Sequence, residues 1–482
     1  MANAGMSPRL NRRVVAISLG AALGGFLFGF DSSVINGAVS SIQGEWNLSE
    51  AFTGFAVASA LLGCAVGAWF AGGLANRYGR IRVMVIAAIL FFVSSVGSAV
   101  AGEVWELIGW RIVGGLAVGA ASVIAPAYIA EVAPAKFRGR LGSLQQLAIV
   151  LGIFAALLSN QLLASAAGGA SQELWLGLEA WRWMFAMEAI PAVIYGFAAL
   201  RLPESPRFLV GKGRLEDAGK VLTEFSGEDD VSSKVAEIKA SLGEDAQRSL
   251  KDLRGPRFGL KPIVWTGIIL SVLQQFVGIN VIFYYGATLW QSVGFDESEA
   301  FLTSTITSVT NIAVTIVAIL LIDRVGRRWL LRIGSIGMFV ALVAMSVAFS
   351  TATLNADDVA VMSHGWAVLA FVGAQLFVIS FGFSWGPVVW VLLGEMFPNR
   401  IRAVALAVAA AAQWLANFTV TITFPVLSEW NLSGAYGIYA VMALVSYFFV
   451  TRRVPETRGV ELEDMRADAT GTRGEGRTPV AA

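Results

Sequence analysis

Cysteine and histidine are almost missing from this chain. Among 482 residues there is one cysteine, Cys64, and one histidine, His364. A lone thiol closes no internal disulfide, and the two residues together make no His/Cys metal cluster, so no metal site is expected. Charge is scarce too: 14% of residues are charged, against about 25% in an average soluble domain. A formal net charge of +1 leaves nothing to attract nucleic acid. There is no nucleophile–base pair and no phosphate-binding loop, so no enzyme and no bound cofactor are expected. The opening MANAGMSPRLNRR is polar and the apolar segment after it is full length, so a cleavable signal peptide is not expected either.

What is present is apolar. Hydrophobic residues make up 56% of the chain, with 51 glycines and 15 tryptophans, a composition that suits packed membrane helices with interfacial aromatic anchors. A span needs about 20 mostly apolar residues. Twelve such stretches occur, at roughly 14–39, 53–75, 83–101, 105–130, 141–163, 183–201, 262–290, 301–322, 329–352, 364–393, 401–425 and 434–451. Their connections alternate in charge. Arginines flank one end (Arg9, Arg12, Arg13; Arg77, Arg80, Arg82; Lys136, Arg138, Arg140; Arg324, Arg327, Arg328; Arg400, Arg402; Arg452, Arg453), whereas QGEWNLSE (43–50) and QSVGFDESEA (291–300) carry no Lys or Arg. The positive-inside rule puts both termini and the charged 202–261 segment in the cytoplasm. That segment is partly amphipathic (GRLEDAGKVLTEF, 213–225) and is expected to form short helices. The polar tail from about 460 is expected to be disordered.

Three pieces of sequence recur about 250 residues apart. LANRYGRIR (74–82) returns as LIDRVGRRW (321–329), EVAPAKFRGR (131–140) as GEMFPNRIRA (394–403), and PESPR (203–207) as PETRG (455–459). The arginines taken singly could be mere anchors, but that does not account for the register. Two parallel six-helix repeats with a site between them are the architecture of major facilitator transporters. The expected organisation is a first six-helix bundle (1–201), a linker with short helices (202–261), a second bundle (262–451) and a tail (452–482).

With GGFLFGFD (24–31), NRYGR (76–80), RIVGG (111–115), PESPR, QQFVGIN (274–280), DRVGRR (323–328), GPVVW (386–390) and PETRG, the chain resembles the sugar porter family of the major facilitators along nearly its whole length. Within that family it is similar to bacterial xylose–proton and glucose–proton symporters. The resemblance implies an all-α membrane protein of twelve spans that moves a small neutral monosaccharide by alternating access. The proton is then the coupling ion, the lipid bilayer the surroundings, the cell (plasma or inner) membrane the location, and a monomer the working unit.

Asp31 is the residue that composition makes conspicuous. A charge at the centre of a membrane helix costs about 2.5–3.5 kcal/mol on insertion scales, so it persists when paired or when it protonates. Asp31 lies about 26 Å along an outward-running helix and Arg111 about 9 Å into an inward-running one. Both depths fall in the outer half of the bilayer, which makes Arg111 the natural partner. An acid that exchanges its arginine for a proton is a coupling device; a permanent salt bridge is the alternative. In the proton-coupled sugar porters this position is Asp, and in animal facilitative glucose transporters it is Asn. Glu188 is the rival proton site. It lies about two turns from the outer end of its span, where a long side chain is expected to reach water, so it is read as structural.

A polyol presents hydroxyls that donate and accept, which suits side-chain amides, and an aromatic ring covers its apolar face. Gln274, Gln275 and Asn280 share one span, with Gly278 permitting local unwinding between them. Gln146, Asn311, Gln413, Asn417, Trp390 and Trp414 stand in other spans, and Phe26 and Tyr285 are candidate apolar walls. Each amide alone could be an interhelical hydrogen bond. By resemblance, Gln146, Gln274, Gln275, Asn280 and Trp390 match the family's sugar contacts. Where xylose symporters carry a second glutamine, seven residues after the position of Gln146, this chain has Ile153. That tilts the expectation toward hexose, with pentose still open.

Arg77, Arg80, Glu131, Arg138, Glu204, Asp323, Arg324, Arg328 and Glu395 are expected to form a cytoplasmic gate of inter-helix salt bridges. Asn76 stands where many family members have Asp. Pro387 in GFSWGP (382–387) is expected to break the tenth span. A proton-coupled sugar importer is the first functional reading. A sugar uniporter of the same fold and a sugar sensor remain alternatives, though the short tail disfavours a sensor.

Overall fold

The computed structural model describes residues 8–132, 138–226, 230–245, 250–257, 259–354, 360–398 and 401–457. Side chains at 8–13, 138–143, 225–226, 243–245, 250–251, 256–257, 322–324, 354, 360 and 403 fall outside that description.

Inside a bilayer each backbone N–H and C=O must be satisfied within its own segment, and helices do this. The described chain obeys. Eleven helical stretches are long and apolar enough to span a membrane: Val14–Gly37, Glu50–Tyr78, Arg80–Ala99, Val104–Val132, Leu144–Ala167, Ala180–Arg201, Pro262–Gln291, Glu297–Leu321, Arg327–Ser350, His364–Met396 and Val404–Arg453. The last is two helices. Asn431 is extended (φ −167°, ψ 101°), and its Oδ1 accepts from the Gly434 N–H at 2.7 Å, an N-cap that starts a new helix. Twelve spans result among the described residues.

Helix ends follow local chemistry. Ser49 caps the second span through the Phe52 N–H, and Asp296 with Glu299 forms a capping box on the eighth. Gly79 and Gly326, at φ of 102° and 100°, make the tight turns after the second and eighth spans that only glycine adopts without strain. Spans two and four meet through Gly63 and Gly67 on one side and Gly115 and Gly119 on the other. At each of these a Cβ would collide with the partner backbone, so the glycines set the closeness of that pair.

Three spans are interrupted. The seventh breaks at Gly278, in the left-handed region (φ 84°), between Pro262–Phe276 and Ile279–Gln291, as its sequence suggested. The tenth breaks at Phe383 and Ser384, between His364–Gly382 and Trp385–Met396. Pro387 sits in the first turn of the second piece, where a missing N–H costs little. The sixth breaks at Met187 and Glu188, between Ala180–Ala186 and Ala189–Arg201. Pro191 lies just beyond, and without an N–H it cannot bond back to the Met187 carbonyl.

Between spans six and seven, helices Pro206–Gly211, Leu215–Val221 and Val231–Asp245 close over a small core of Leu209, Val210, Ala218 and Val221. Short hairpins, Glu173–Trp175 with Leu178–Glu179 and Thr353–Leu354 with Ala360–Val361, lie at the end opposite the arginines.

Candidate transport site

Asp31 and Arg111 meet in the structure. Arg111 Nη1 donates to Asp31 Oδ1 at 3.3 Å and to the Asp31 carbonyl at 3.0 Å, and each side chain is 3% exposed. Gly114, one turn beyond Arg111, makes room for the acid: a Cβ there would lie 3.0 Å from Asp31 Oδ1. Arg111 also lies over the Phe185 ring at 5.8 Å. With water excluded, such a pair is held by its own attraction, and removal of either charge exposes the cost of the other.

Glu188 requires a correction. It does not reach water; it is 1% exposed, and its Oε1 has no hydrogen-bond partner. It stands on the inward stripe of the sixth span, with Trp181, Met184 and Phe185 before it and Ala192 and Tyr195 after it, all buried, and within electrostatic reach of Asp31 and Arg111.

A narrow cleft, too tight in this conformation for a sugar, lies beside the pair, lined on one side by Phe28, Asp31, Cys64 and Arg111 and on the other by Tyr284 and Trp414. It lies between the first six spans and the last six. Phe28 and Trp414 face each other across it, ring centres 5.8 Å apart. Tyr284 leads from the cleft into a chain of amides. Asn417 Nδ2 donates to Tyr284 Oη (3.4 Å), Asn280 Nδ2 donates to Asn417 Oδ1 (2.8 Å) and to Gln275 Oε1 (2.6 Å), and Gln275 Nε2 donates to Gln274 Oε1 (3.5 Å). Gln274 Nε2 in turn donates to the Trp385 carbonyl at 2.7 Å, just past the break in the tenth span. Four of the candidate amides are thus one network, spread over spans seven and eleven and tied to ten.

The other candidates are placed differently. Asn311 is buried beside Gly382 at the same break. Ile153 packs against Gly29 of the first span. Gln146 and Gln413 are half-buried, and Gln413 Oε1 lacks a partner. Trp390 is 43% exposed. Phe26 stacks loosely on Phe30 and does not line the cleft; Phe28 does. Tyr285 is likewise replaced by Tyr284. It bonds the Thr421 carbonyl (2.8 Å) and packs on Phe424, flooring a separate crevice near the opposite end. Helix geometry could have made both choices. Phe28 is three residues from Asp31 and Tyr284 four from Asn280, on the same faces, whereas Phe26 and Tyr285 are five away and about 140° round.

At the arginine end the repeats become two matching knots. Arg80 grips Glu131 through Nε (2.9 Å) and Nη2 (2.8 Å), and Arg327 grips Glu395 through Nε (3.2 Å) and Nη2 (2.9 Å). Glu204 accepts from the Arg80 N–H at 3.0 Å, and Glu456 from the Arg327 N–H at 3.1 Å, so each carboxylate sits at a helix N-terminus. Ser205 bonds Glu131, and Thr457 bonds Glu395. Arg328 is not the counterpart of Arg80: its side chain bonds the Thr451 carbonyl. Arg327 and Glu456 were missed as gate residues, although aligning the repeats on Gly79 and Gly326 identifies Arg327. Arg77 is exposed over Tyr78. The side chains of Arg138, Asp323 and Arg324 lie outside the described residues. Each knot stays within one set of six spans.

Contacts between the two sets gather near the opposite end. Asn36 Nδ2 donates to the Phe283 carbonyl (3.0 Å) and its Oδ1 accepts from the Ala287 N–H (3.3 Å). Ser40 meets Thr288 at 3.2 Å, and Glu297 Oε1 accepts from the Ala170 N–H at 3.1 Å. Among the described residues no group of acids, His and Cys could hold a metal ion.

Comparison with known proteins gives a consistent result. Residues 17–469 match the family described as "Sugar (and other) transporter". A glucose transport protein of Synechocystis sp. is 54% identical over 454 residues, covering 94% of this chain and 97% of the relative. The D-xylose–proton symporter of Escherichia coli K12 is 39% identical over 487 residues, covering 94% and 95%. Among solved structures, the inward-open E. coli xylose transporter XylE superimposes with a TM-score of 0.79 at 38% identity, covering 94% of this chain and 99% of that one. The same symporter bound to 6-bromo-6-deoxy-D-glucose gives a TM-score of 0.78.

Proposed function

The chain belongs to the sugar transporter family of the major facilitators, and on that footing we propose that it imports a hexose, glucose or a close relative, together with a proton. The observation that carries the reading is the Asp31–Arg111 pair sharing one cleft with Tyr284 and Trp414, next to the amide chain. An acid in that position senses both ligands. Protonation removes the charge that Arg111 answers, and the first and fourth spans are then free to shift against each other. Sugar hydroxyls compete for the amides that now bond one another, and the Gln274 bond to Trp385 links that exchange to the break in the tenth span. The preference for hexose rests on the 54% identical glucose transport protein and on Ile153.

In this reading the arginine end and both termini face the cytoplasm, and the protein works as a monomer in the cell's inner membrane. The two six-span sets, 1–201 and 262–451, rock about the central site, and the conformation described is closed toward the outside. No metal or other cofactor takes part. Glu188 is a second proton station behind Asp31, and the two arginine knots stiffen each set at the inner gate.

The test is sugar uptake in proteoliposomes with Asp31→Asn, with and without an imposed proton gradient, beside exchange of labelled sugar. Gradient-driven accumulation should vanish while exchange persists. If the unmutated protein shows no dependence on the gradient, Asp31 and Arg111 are a structural pair inside a uniporter.

A further inference from the structure

The two six-span sets repeat each other at the arginine end, but not at every position. Aligning them on Gly79 and Gly326 sets Arg80 against Arg327, both engaged in the knots. The same alignment sets Ile81 and Val85 against Arg328 and Arg332. The second set thus carries two arginines that its knot does not use. Arg332 stands about 8 Å into the ninth span, where a charge without a counter-charge is costly.

No ion pair joins either one to an acid among the described residues. The Arg328 side chain bonds the Thr451 carbonyl, and Arg332 Nη2 donates to Tyr447 Oη at 3.4 Å. Both acceptors are neutral and both belong to the twelfth span. Each guanidinium is bonded through Nη2, and the Nε of each has no partner. Glu456 meets this helix at the backbone N–H groups of Arg327 and Arg328, each at 3.1 Å.

The pair opens toward the lipid side of the protein. Residues four apart share a helix face, so Arg328 and Arg332 stand one above the other. Beside them Trp329 and Ile336 are exposed on the ninth span, and Val445 and Phe448 are exposed on the twelfth. Arg332 lies over the Tyr447 ring at 5.6 Å, and Arg452 over the Phe448 ring at 5.8 Å. Ring contact takes up the face of a guanidinium and leaves its N–H edge for hydrogen bonds.

We propose that the groove between spans nine and twelve binds the phosphate of an anionic phospholipid, with Arg328 and Arg332 as its donors. A phosphodiester supplies the negative charge that the described residues withhold, and its oxygens suit a guanidinium fork. A lipid fits better than free phosphate, because its acyl chains would lie along Trp329 and Phe448. Bound there, it ties the ninth span to the twelfth. The proposal takes from the preceding section only that the chain lies in a bilayer, so its failure says nothing against Asp31 as the coupling acid.

The experiment measures lipid retention by the full chain in native mass spectrometry. Dioleoyl phosphatidylglycerol is titrated against dioleoyl phosphatidylcholine, whose choline cancels the phosphate charge. The parent should prefer phosphatidylglycerol. Arg328→Gln and Arg332→Gln should each weaken its apparent affinity about fivefold. Arg77→Gln, at the exposed inner end of the second span, should leave it unchanged. Millimolar inorganic phosphate should not displace the lipid. A second measurement needs no variant: phosphatidylglycerol with a photoreactive group near its headgroup should cross-link the parent within 329–336 or 445–452. The proposal is overturned if the glutamine variants retain the lipid as the parent does, or if Arg77→Gln loses as much. Displacement by phosphate alone, or cross-links confined to other spans, would overturn it equally.

Discussion

The two ends of this protein are held by opposite kinds of contact. At the arginine end the contacts are charged, duplicated and internal: Arg80 with Glu131 and Glu204 in the first six spans, Arg327 with Glu395 and Glu456 in the last six. At the other end they are mostly neutral, occur once, and cross from one set to the other, as Asn36 does to the seventh span. A contact that keeps a bundle rigid through every cycle can be strong. One that must part and re-form each time can be worth only a few kcal/mol, or the cycle stalls.

That contrast can be broken at several points, and the largest effect should come from the knots. Arg327→Ala leaves Glu395 beside a lost partner and should destabilise the protein by about 3 kcal/mol, less than a fully buried pair would give because Glu395 is partly exposed. Thermal unfolding in detergent would fall by several degrees, and an unchanged midpoint would mean that the knots are ornamental. Gly79→Ala should cost about 2 kcal/mol in the same assay, since φ is 102° and the new methyl meets the Glu204 carboxylate. Asn36→Ala should do the reverse of both. It should barely move the unfolding midpoint but raise the outward-open population about tenfold, read as a label-to-label distance, because its two hydrogen bonds exist only in the closed form. A large loss of stability with no population change would erase the distinction between the ends.

The smallest effect lies in the linker. Asp230 starts the helix Val231–Asp245, its Oδ1 accepting from the Ser233 N–H (3.0 Å) and the Ser232 hydroxyl (2.7 Å), which holds its carboxyl below the usual range. A depressed acid contributes while it is ionised, above its unfolded value of about 3.9, and that contribution disappears as pH falls through the lower folded value. Amide protection factors in 231–245, taken relative to the intrinsic exchange rate at each pH, should therefore fall in acid in the parent, and Asp230→Ala should show low protection at every pH. Cross-set contacts at the other end should be indifferent to that substitution.

Much of this was legible before any coordinates. Apolar runs of about 20 residues mark spans because the bilayer admits no unpaired backbone. Asp31 and Arg111 stand out because charge is costly there, and their depths match. Gly278 and Pro387 announce breaks by conformations and bonds that those residues impose or forbid, and the paired motifs announce the repeat. These are local or one-dimensional properties, and a linear sequence holds them completely.

Other features depend on how separate helices meet. Glu188 was expected near water and is buried, because the stripe of the sixth span that carries it, with Met184, Ala192 and Tyr195, is covered by neighbouring helices. Periodicity puts Phe28 and Tyr284, rather than Phe26 and Tyr285, on the faces of Asp31 and Asn280, but that those two faces meet across one cleft is decided by packing. The exchange of partners among Gln274, Gln275, Asn280 and Asn417, and the grip of Glu297 on Ala170, join residues more than 100 positions apart in at least one bond each. Composition and periodicity determined that this chain crosses a membrane twelve times and carries one costly acid with one matching arginine. Packing alone decided which side chains face one another between the halves, since such pairings are set by the meeting of two surfaces and neither stretch of sequence specifies them by itself.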